Sequence, residues 1–438
     1  MYDVAVIGAG VVGALIAREL AHTEAKVILI EAGKDVAWGA SRANSGIVHA
    51  GFAARPGSLM AELNLEGNRL YGPLCEELGV PFRRIGSLVC ADDPLLLRPL
   101  QEKGARNGVE LSLWDASKLS REEPNLRASA ALFAPTAGIV SPYELVFQAV
   151  RSALRNGVRL LTDAPVTRID TPQRIRAGEE WIEARVVVNA AGLYADEVAA
   201  LVGDAYAITA RKGEYLLLDR SEGTLVRHTI FPLPTETSKG ILVSPTASGN
   251  LLLGPTATPA EKGDTSTSYE GLQIVLSQTK KLVPGIDPRK VIANFAGLRA
   301  VGGEDFVIER SQNGPWIHLV GIQSPGLTAA PAIAKRVVAM LREQLPLATR
   351  PFSASPSQKF PKDAIVCRCE GVGRSEVLQA IADGATTLDG IKLRTRAGMG
   401  RCQGGTCRTK LAFLLADALG VPVEQVLKRE GPLLGGRT

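Results

Sequence analysis

The sequence predicts an α/β protein in three parts: a Rossmann-like nucleotide-binding domain, an antiparallel sheet inserted into it, and a small α-rich module near the C-terminal end. Three observations carry this reading. Residues 3–8, 11–22 and 26–31 read as buried strand, helix and buried strand, joined by Gly8-Ala9-Gly10-Val11-Val12-Gly13. Short alternating segments separated by Pro, Gly and Asn run from about residue 211 to 256, the pattern of an antiparallel sheet. Four cysteines gather in the last fifth of the chain, as Cys367-x-Cys369 and Cys402-x4-Cys407 with 32 residues between the pairs.

The remaining elements follow in order. Pro56 and Gly57 precede a helix over 58–78, and Ser141 is placed to cap a helix over 142–156. An apolar strand over 186–190 runs into Ala191-Gly192. Strands are expected at 214–218, 241–244 and 251–254, a helix at 269–282, buried strands at 291–298 and 316–320, and a last helix at 327–341. Nucleotide-binding parts then fall at about 1–80, 140–205 and 290–345, with the substrate parts at 81–139 and 206–289. Four prolines between 346 and 361 mark a linker over 346–362. Residues 363–420 form a separate module too small for a large core, for which a metal centre is a common remedy, and 421–438 form a tail.

At 438 residues the chain can bury two or three cores, and 45% hydrophobic with 22% charged residues is an ordinary balance. Aromatics at 5% speak against nucleic-acid binding by stacking. No run of 18 apolar residues is present, so no membrane span is expected, and the glycine-interrupted N-terminal apolar run lacks a basic leader. A cytoplasmic protein is expected, in which clustered thiols bind metal more readily than they pair. The net charge of +5 is local: residues 359–438 hold 13 Lys+Arg against 8 Asp+Glu, and the rest balances at 37 each. Arg368, Arg394, Arg396, Arg401 and Arg408 can offset a negative metal centre, present a solvated basic face, or receive an acidic partner.

The glycine motif has a mechanical meaning. Gly8 permits the tight turn, Gly10 lets a pyrophosphate approach, and Gly13 packs helix on strand. Glu31, ending the second strand, can accept a ribose hydroxyl. The cysteines suit a [2Fe–2S] cluster, in which each iron takes two thiolates, and the glycines around Cys402 and Cys407 bring backbone N–H groups toward sulfur. Zinc is the rival, although it favours Cys-x2–4-Cys spacing. Cys75 and Cys90 read as core residues.

Resemblance decides between nucleotides. Gly39 to Gly51 (GASRANSGIVHAG), Asn189-Ala190-Ala191-Gly192 and Gly321 to Thr328 (GIQSPGLT) resemble motifs of the D-amino-acid-oxidase/glycerol-3-phosphate-dehydrogenase flavoprotein superfamily, over residues 1 to about 345. This implies FAD, held by Gly8, Gly10, Gly13, Glu31, Ser41, Asn44, Ser45, Gly46, Val166, Ala191, Gly192, Gly326, Leu327 and Thr328. Residues 44–69, RKGEYLLL from Arg211 and FPLPT from Phe231 resemble L-2-hydroxyglutarate oxidase. VCRCE from Val366 and RTRAGMGRCQGGTC from Arg394 resemble the tail of the anaerobic glycerol-3-phosphate dehydrogenase large subunit, shared with bacterioferritin-associated-ferredoxin-like modules. The resemblance implies Cys367, Cys369, Cys402 and Cys407 as cluster ligands. An Arg-Tyr pair usual in glycerol-3-phosphate enzymes is replaced here by Ala50 to Arg55 (AGFAAR).

Hydride removal from a carbinol needs an anchored substrate, a base and a dry pocket. Arg299 matches the superfamily's substrate-anion arginine, and its fork suits carboxylate or phosphate. Of four histidines, His49 and His228 are base candidates, with a packed core histidine as the plain alternative; His22 and His318 read as structural. Lys212 and Lys239 flank glycines in the inserted sheet and read as solvated. The expected activity is oxidation of a small anionic hydroxy substrate, sn-glycerol 3-phosphate first, with L-2-hydroxyglutarate, another hydroxy acid or an amino acid as alternatives. Electrons would pass through the cluster to a quinone-linked acceptor or an electron-accepting protein subunit, such as a second flavoprotein, and peripheral membrane association would come through that partner. A subunit with an inactive pocket, serving only electron transfer, is the alternative of a different class.

Overall fold

The computed structural model describes residues 1–234, 240–354, 360–361 and 363–431. Lys239, part of the expected linker and the last seven residues of the tail lie outside them. The strands Tyr2–Ile7, Val27–Ile30, Glu180–Asn189 and Trp316–Val320 form the parallel centre of one sheet. Val4 pairs with Val27 on one side and Val186 on the other, and Val188 pairs with Ile317. Such a centre is buried on both faces, which is why its paired segments Val4–Ile7, Val27–Ile30 and Val186–Val188 are apolar throughout. The helices Val11–Leu20, Leu59–Leu78, Pro142–Arg155 and Gly326–Arg342 contribute to one core with it, through residues such as Leu15, Leu63, Val146 and Ile333.

Small residues set the helix spacing. A Cβ at Gly67 would stand 2.0 Å from the Thr328 carbonyl oxygen, so the second helix presses directly on the start of the last one. Ser58, expected as the first helical residue, is instead the N-cap, accepting from the Ala61 N–H at 3.1 Å. Ser141 occupies the cap position without making the capping bond.

The two substrate parts expected from sequence join in a single nine-stranded sheet. Its long strands Thr209–Leu218 and Val291–Val301 pair antiparallel over their length, and Thr229–Pro232 joins Ser87–Ala91 in parallel. The last of these links the 81–139 part to the 206–289 part. Its core holds Leu88, Cys90, Leu216, Val243 and Leu253. Cys75 and Cys90 are buried, and burial pushes each thiol up to about 12.

The C-terminal module is a two-strand hairpin, Ile365–Cys367 with Val372–Gly373, followed by helices Arg374–Ala382, Leu388–Thr395 and Arg408–Leu419. Its small core includes Val377, Ile391, Leu411 and Leu415 together with Cys367 and Cys407. The first part of the expected linker is fixed to the large domain: Arg350 donates its N–H to the His22 carbonyl, and Phe352 stacks on His22 with ring centres 3.6 Å apart.

Candidate flavin, substrate and iron–sulfur sites

One cavity of about 1870 Å³ runs from the glycine turn to the inserted sheet, and the C-terminal module closes part of it. At the turn Gly8 has φ +100°, and a Cβ there would meet the Ala190 carbonyl oxygen at 2.4 Å. A Cβ at Gly13 would lie 1.9 Å from the Gly8 oxygen. These contacts leave a bare backbone cradle at the N-terminus of Val11–Leu20, where the helix dipole favours an anion. Ser41 Oγ accepts from the Val11 N–H at 2.8 Å, tying the second motif to that helix start. Glu31 accepts from the Ala9 and Gly33 N–H groups, each at 2.8 Å. Burial raises its carboxyl pKa, and the two N–H donors act against that rise.

Asn44 folds its loop by accepting from Gly46 N–H at 2.8 Å and donating to the Ala40 and Ser41 carbonyls. Gly10, Glu31, Ser41, Asn44, Ser45, Gly46, Val166, Ala191, Gly192, Gly326 and Leu327 all line the cavity. Thr328 stands behind its wall, fully buried, where Oγ1 accepts from the His49 N–H at 2.9 Å. The cradle, the carboxylate and the cavity volume fit a dinucleotide.

At the far end Arg299 lines the cavity, and so does Arg211. The two are directly opposite in the antiparallel pair Thr209–Leu218 and Val291–Val301, so their side chains leave the same face of the sheet. Like charges in that relation are destabilising. Neither guanidinium has a hydrogen bond or ion pair among the described residues. Burial pulls the Arg299 pKa down, as does the like charge of Arg211, while Tyr215 acts the other way. Arg211 was not singled out from sequence as a site residue. Lys212 points to the opposite face and pairs with Asp264 at 2.8 Å.

His49 lines the same end, its Nε2 3.5 Å from Ser324 Oγ and its ring 6.1 Å from that of Phe231. Its carbonyl accepts from Asn68 at 2.9 Å, so the backbone is held on both sides. His228, the other candidate base, is corrected. Its Nδ1 sits 2.7 Å from Glu123, its ring meets Trp114 and Phe133 edge-on, and it does not line the cavity. It is a packed core histidine. His318 is also structural, held by Asn189 at 3.1 Å and Asp204 at 2.8 Å.

The four module cysteines group two by two. Cys369 and Cys402 are exposed with sulfurs 3.6 Å apart, while Cys367 and Cys407 are both buried in the module core. The Thr406 N–H and the Cys369 thiol pull Cys402 down to about 7, and burial pushes Cys407 up to about 12. Gly400 is required where it stands, since a Cβ there would lie 2.3 Å from Cys369 Cβ. Among the described residues no three His, Cys, Asp or Glu side chains converge on one point. Two pairs of thiols suit a binuclear cluster better than a single zinc ion.

The module docks through its arginines. Arg394 forks onto Asp35, with Nη2 to Oδ1 at 2.8 Å, and lies over Phe147 at 4.3 Å. Arg396 donates to Tyr143 at 2.7 Å, Ser248 at 2.6 Å and Glu370 at 2.9 Å. These two, expected to offset cluster charge, are thus committed to domain docking. Met399 and Gln403, from the loop that carries Cys402, line the flavin cavity.

A family model for FAD dependent oxidoreductases, DAO, matches residues 3–340. The chain belongs to the DAO family. In this DAO protein a second model, the BFD-like [2Fe-2S] binding domain, matches residues 365–417. FAD and a [2Fe–2S] cluster are its cofactors. A glycerol 3-phosphate dehydrogenase of Caloramator mitchellensis is 39% identical, with 98% of this chain and 96% of that protein covered. The L-2-hydroxyglutarate dehydrogenase of Escherichia coli K12 is 29% identical over 69% of this chain and 74% of its own. The solved L-alpha-glycerophosphate oxidase of Mycoplasma pneumoniae, with FAD bound, superposes at a TM-score of 0.76 and 28% identity, covering 82% of this chain and 99% of that one. No helix among the described residues of this DAO protein is long and apolar enough to cross a membrane.

In this DAO protein the strand that carries Arg299 is held by a close backbone contact. A Cβ at Gly297 would stand 1.9 Å from the Ala43 carbonyl oxygen, so the arginine strand presses on the flavin loop. Gly297→Ala is expected to destabilise the protein by about 1–3 kcal/mol, as overpacking does, and to lower its FAD content. Thermal unfolding and the flavin-to-protein absorbance ratio check this.

Proposed function

We propose that the protein is a dehydrogenase that oxidises sn-glycerol 3-phosphate to dihydroxyacetone phosphate and passes the electrons to an acceptor protein. The observation that carries this reading is the facing pair Arg211 and Arg299 on the cavity wall, two cations without a counter-ion among the described residues. A phosphate dianion matches both charges, and guanidinium forks bind its oxygens bidentately. The relative from Caloramator mitchellensis, similar along nearly the whole chain, supports the same substrate.

FAD, when bound, supplies the acceptor for the hydride, and the cluster supplies a one-electron outlet. The substrate gives up a hydride from C2 and a proton from its hydroxyl, two electrons and two protons in all. The arginine pair fixes the phosphate and thereby the reach of C2. His49, held by its backbone at the same end, takes the hydroxyl proton. Phe231, Leu242 and Tyr215 line this end and exclude water.

Anaerobic mixing of the purified protein with glycerol 3-phosphate tests the reading. Bleaching of the flavin band, followed by the cluster bands, is expected. Bleaching by L-2-hydroxyglutarate with none by glycerol 3-phosphate would replace the substrate while keeping the enzyme class. No bleaching with either would leave an electron-transfer subunit.

A further inference from the structure

Two module arginines at the large domain have carboxylate partners: Arg394 pairs with Asp35 of the large domain and Arg396 with Glu370 of the module itself. Lys392 does not. It projects from the helix Leu388–Thr395 into the wall of the flavin cavity, with no hydrogen bond or ion pair among the described residues. Arg42, from the flavin loop, lines the same cavity and is equally without an ion pair; its guanidinium lies 4.9 Å from the ring centre of Trp38. Asp389 and Glu430 line this region too, but Glu430 accepts from Trp38 at 2.9 Å and neither hydrogen-bonds to Lys392 or Arg42.

Unpaired cations withdrawn from water are costly unless something compensates them. Burial lowers the pKa of Arg42 to about 10, with Arg429 adding to the fall and Asp389 and Glu430 acting against it; burial also lowers that of Lys392, where Asp389 acts against the fall and Lys428, Arg408 and Arg42 add to it. Arg42 directly follows Ser41, whose hydroxyl is bonded to the start of Val11–Leu20. That helix start, with its glycine cradle, is where a pyrophosphate sits in this class of fold. The pyrophosphate carries two negative charges, which match the two unpaired cations.

We propose that Lys392 of the iron–sulfur module, together with Arg42, clamps the pyrophosphate of FAD, so that the module forms part of the flavin site and its docking is coupled to flavin retention. The inference rests on FAD as the cofactor and is independent of which substrate is oxidised. By reciprocity, bound FAD holds the module in place as strongly as the module holds FAD.

The test uses the full-length holoprotein with Lys392→Met, which keeps the stem and removes the charge, and Lys392→Arg, which keeps the charge. Release of FAD into buffer is followed by its fluorescence, and iron per chain is measured on the same samples. Loss of a charge-assisted contact is expected to speed release about tenfold in Lys392→Met, with iron near wild type, and Lys392→Arg should restore most of the retention. Release within twofold of wild type in Lys392→Met overturns the proposal. So does FAD loss that occurs only together with iron loss, because that outcome makes Lys392 a folding residue of the module.

Discussion

Arg299→Ala is expected to lower kcat/KM for glycerol 3-phosphate by about a hundredfold or more, since truncating one partner of a buried charge pair costs 2–5 kcal/mol. The loss should appear mainly in KM, because the phosphate is anchored alike before and during hydride removal. Arg299→Lys should recover only part, for an ammonium cannot reproduce the bidentate fork. Arg211→Ala should act in the same direction, and the double variant should lose less than the product of the single losses, because both arginines bind one group. Steady-state kinetics with a dye acceptor measure all four. A change within threefold for Arg299→Ala would remove the anion clamp from the mechanism. Stability offers an independent sign: relieving repulsion between two facing guanidiniums should leave the substrate-free Arg211→Ala protein at least as stable as wild type.

Cys402→Ser is expected to abolish the cluster while sparing the flavin reaction. Iron should fall from about two per chain toward zero and the visible cluster bands should vanish. Glycerol 3-phosphate should still bleach the flavin anaerobically, yet transfer to a one-electron acceptor should collapse. Cys402 is exposed and contributes little packing. Cys407 is fully buried in the module core beside Leu411 and Val377. Cys407→Ser should therefore also loosen the module, seen as a lower unfolding temperature that Cys402→Ser lacks. Wild-type iron content in Cys402→Ser would remove that residue from the ligand set.

The elements expected from sequence are present because each rests on a local signal. Apolar runs mark the parallel strands, a 3.6-residue period marks the helices, and glycines mark the turn at Gly8. The cavity lining around Ser41 to Gly46 and Gly326 was legible for the same reason. What escaped depends on partners far along the chain. Arg211 becomes significant only through its register with Arg299, 88 positions away. His228 looks like a base until Glu123, more than a hundred residues earlier, is seen to hold it. Arg394 reads as a cluster counter-charge until Asp35 takes it. Charge on a surface residue carries no address, whereas an apolar period does, and so the docking of the module could not be read from its basic composition.

The anchoring of Arg350 and Phe352 beside His22 has a kinetic consequence. Ordered contacts with the large domain continue to Ser353, whose N–H is accepted by Asn156 at 2.9 Å. Eleven residues lie between Ser353 and Ile365, the first residue of the module's hairpin. Such a span reaches at most about 40 Å even when fully extended. A leash of that order sets an effective concentration in the millimolar range. The electron carrier therefore meets its flavin as a tethered neighbour rather than by diffusional search. A few arginine contacts suffice to seat it, and dilution of the enzyme does not separate the two redox centres.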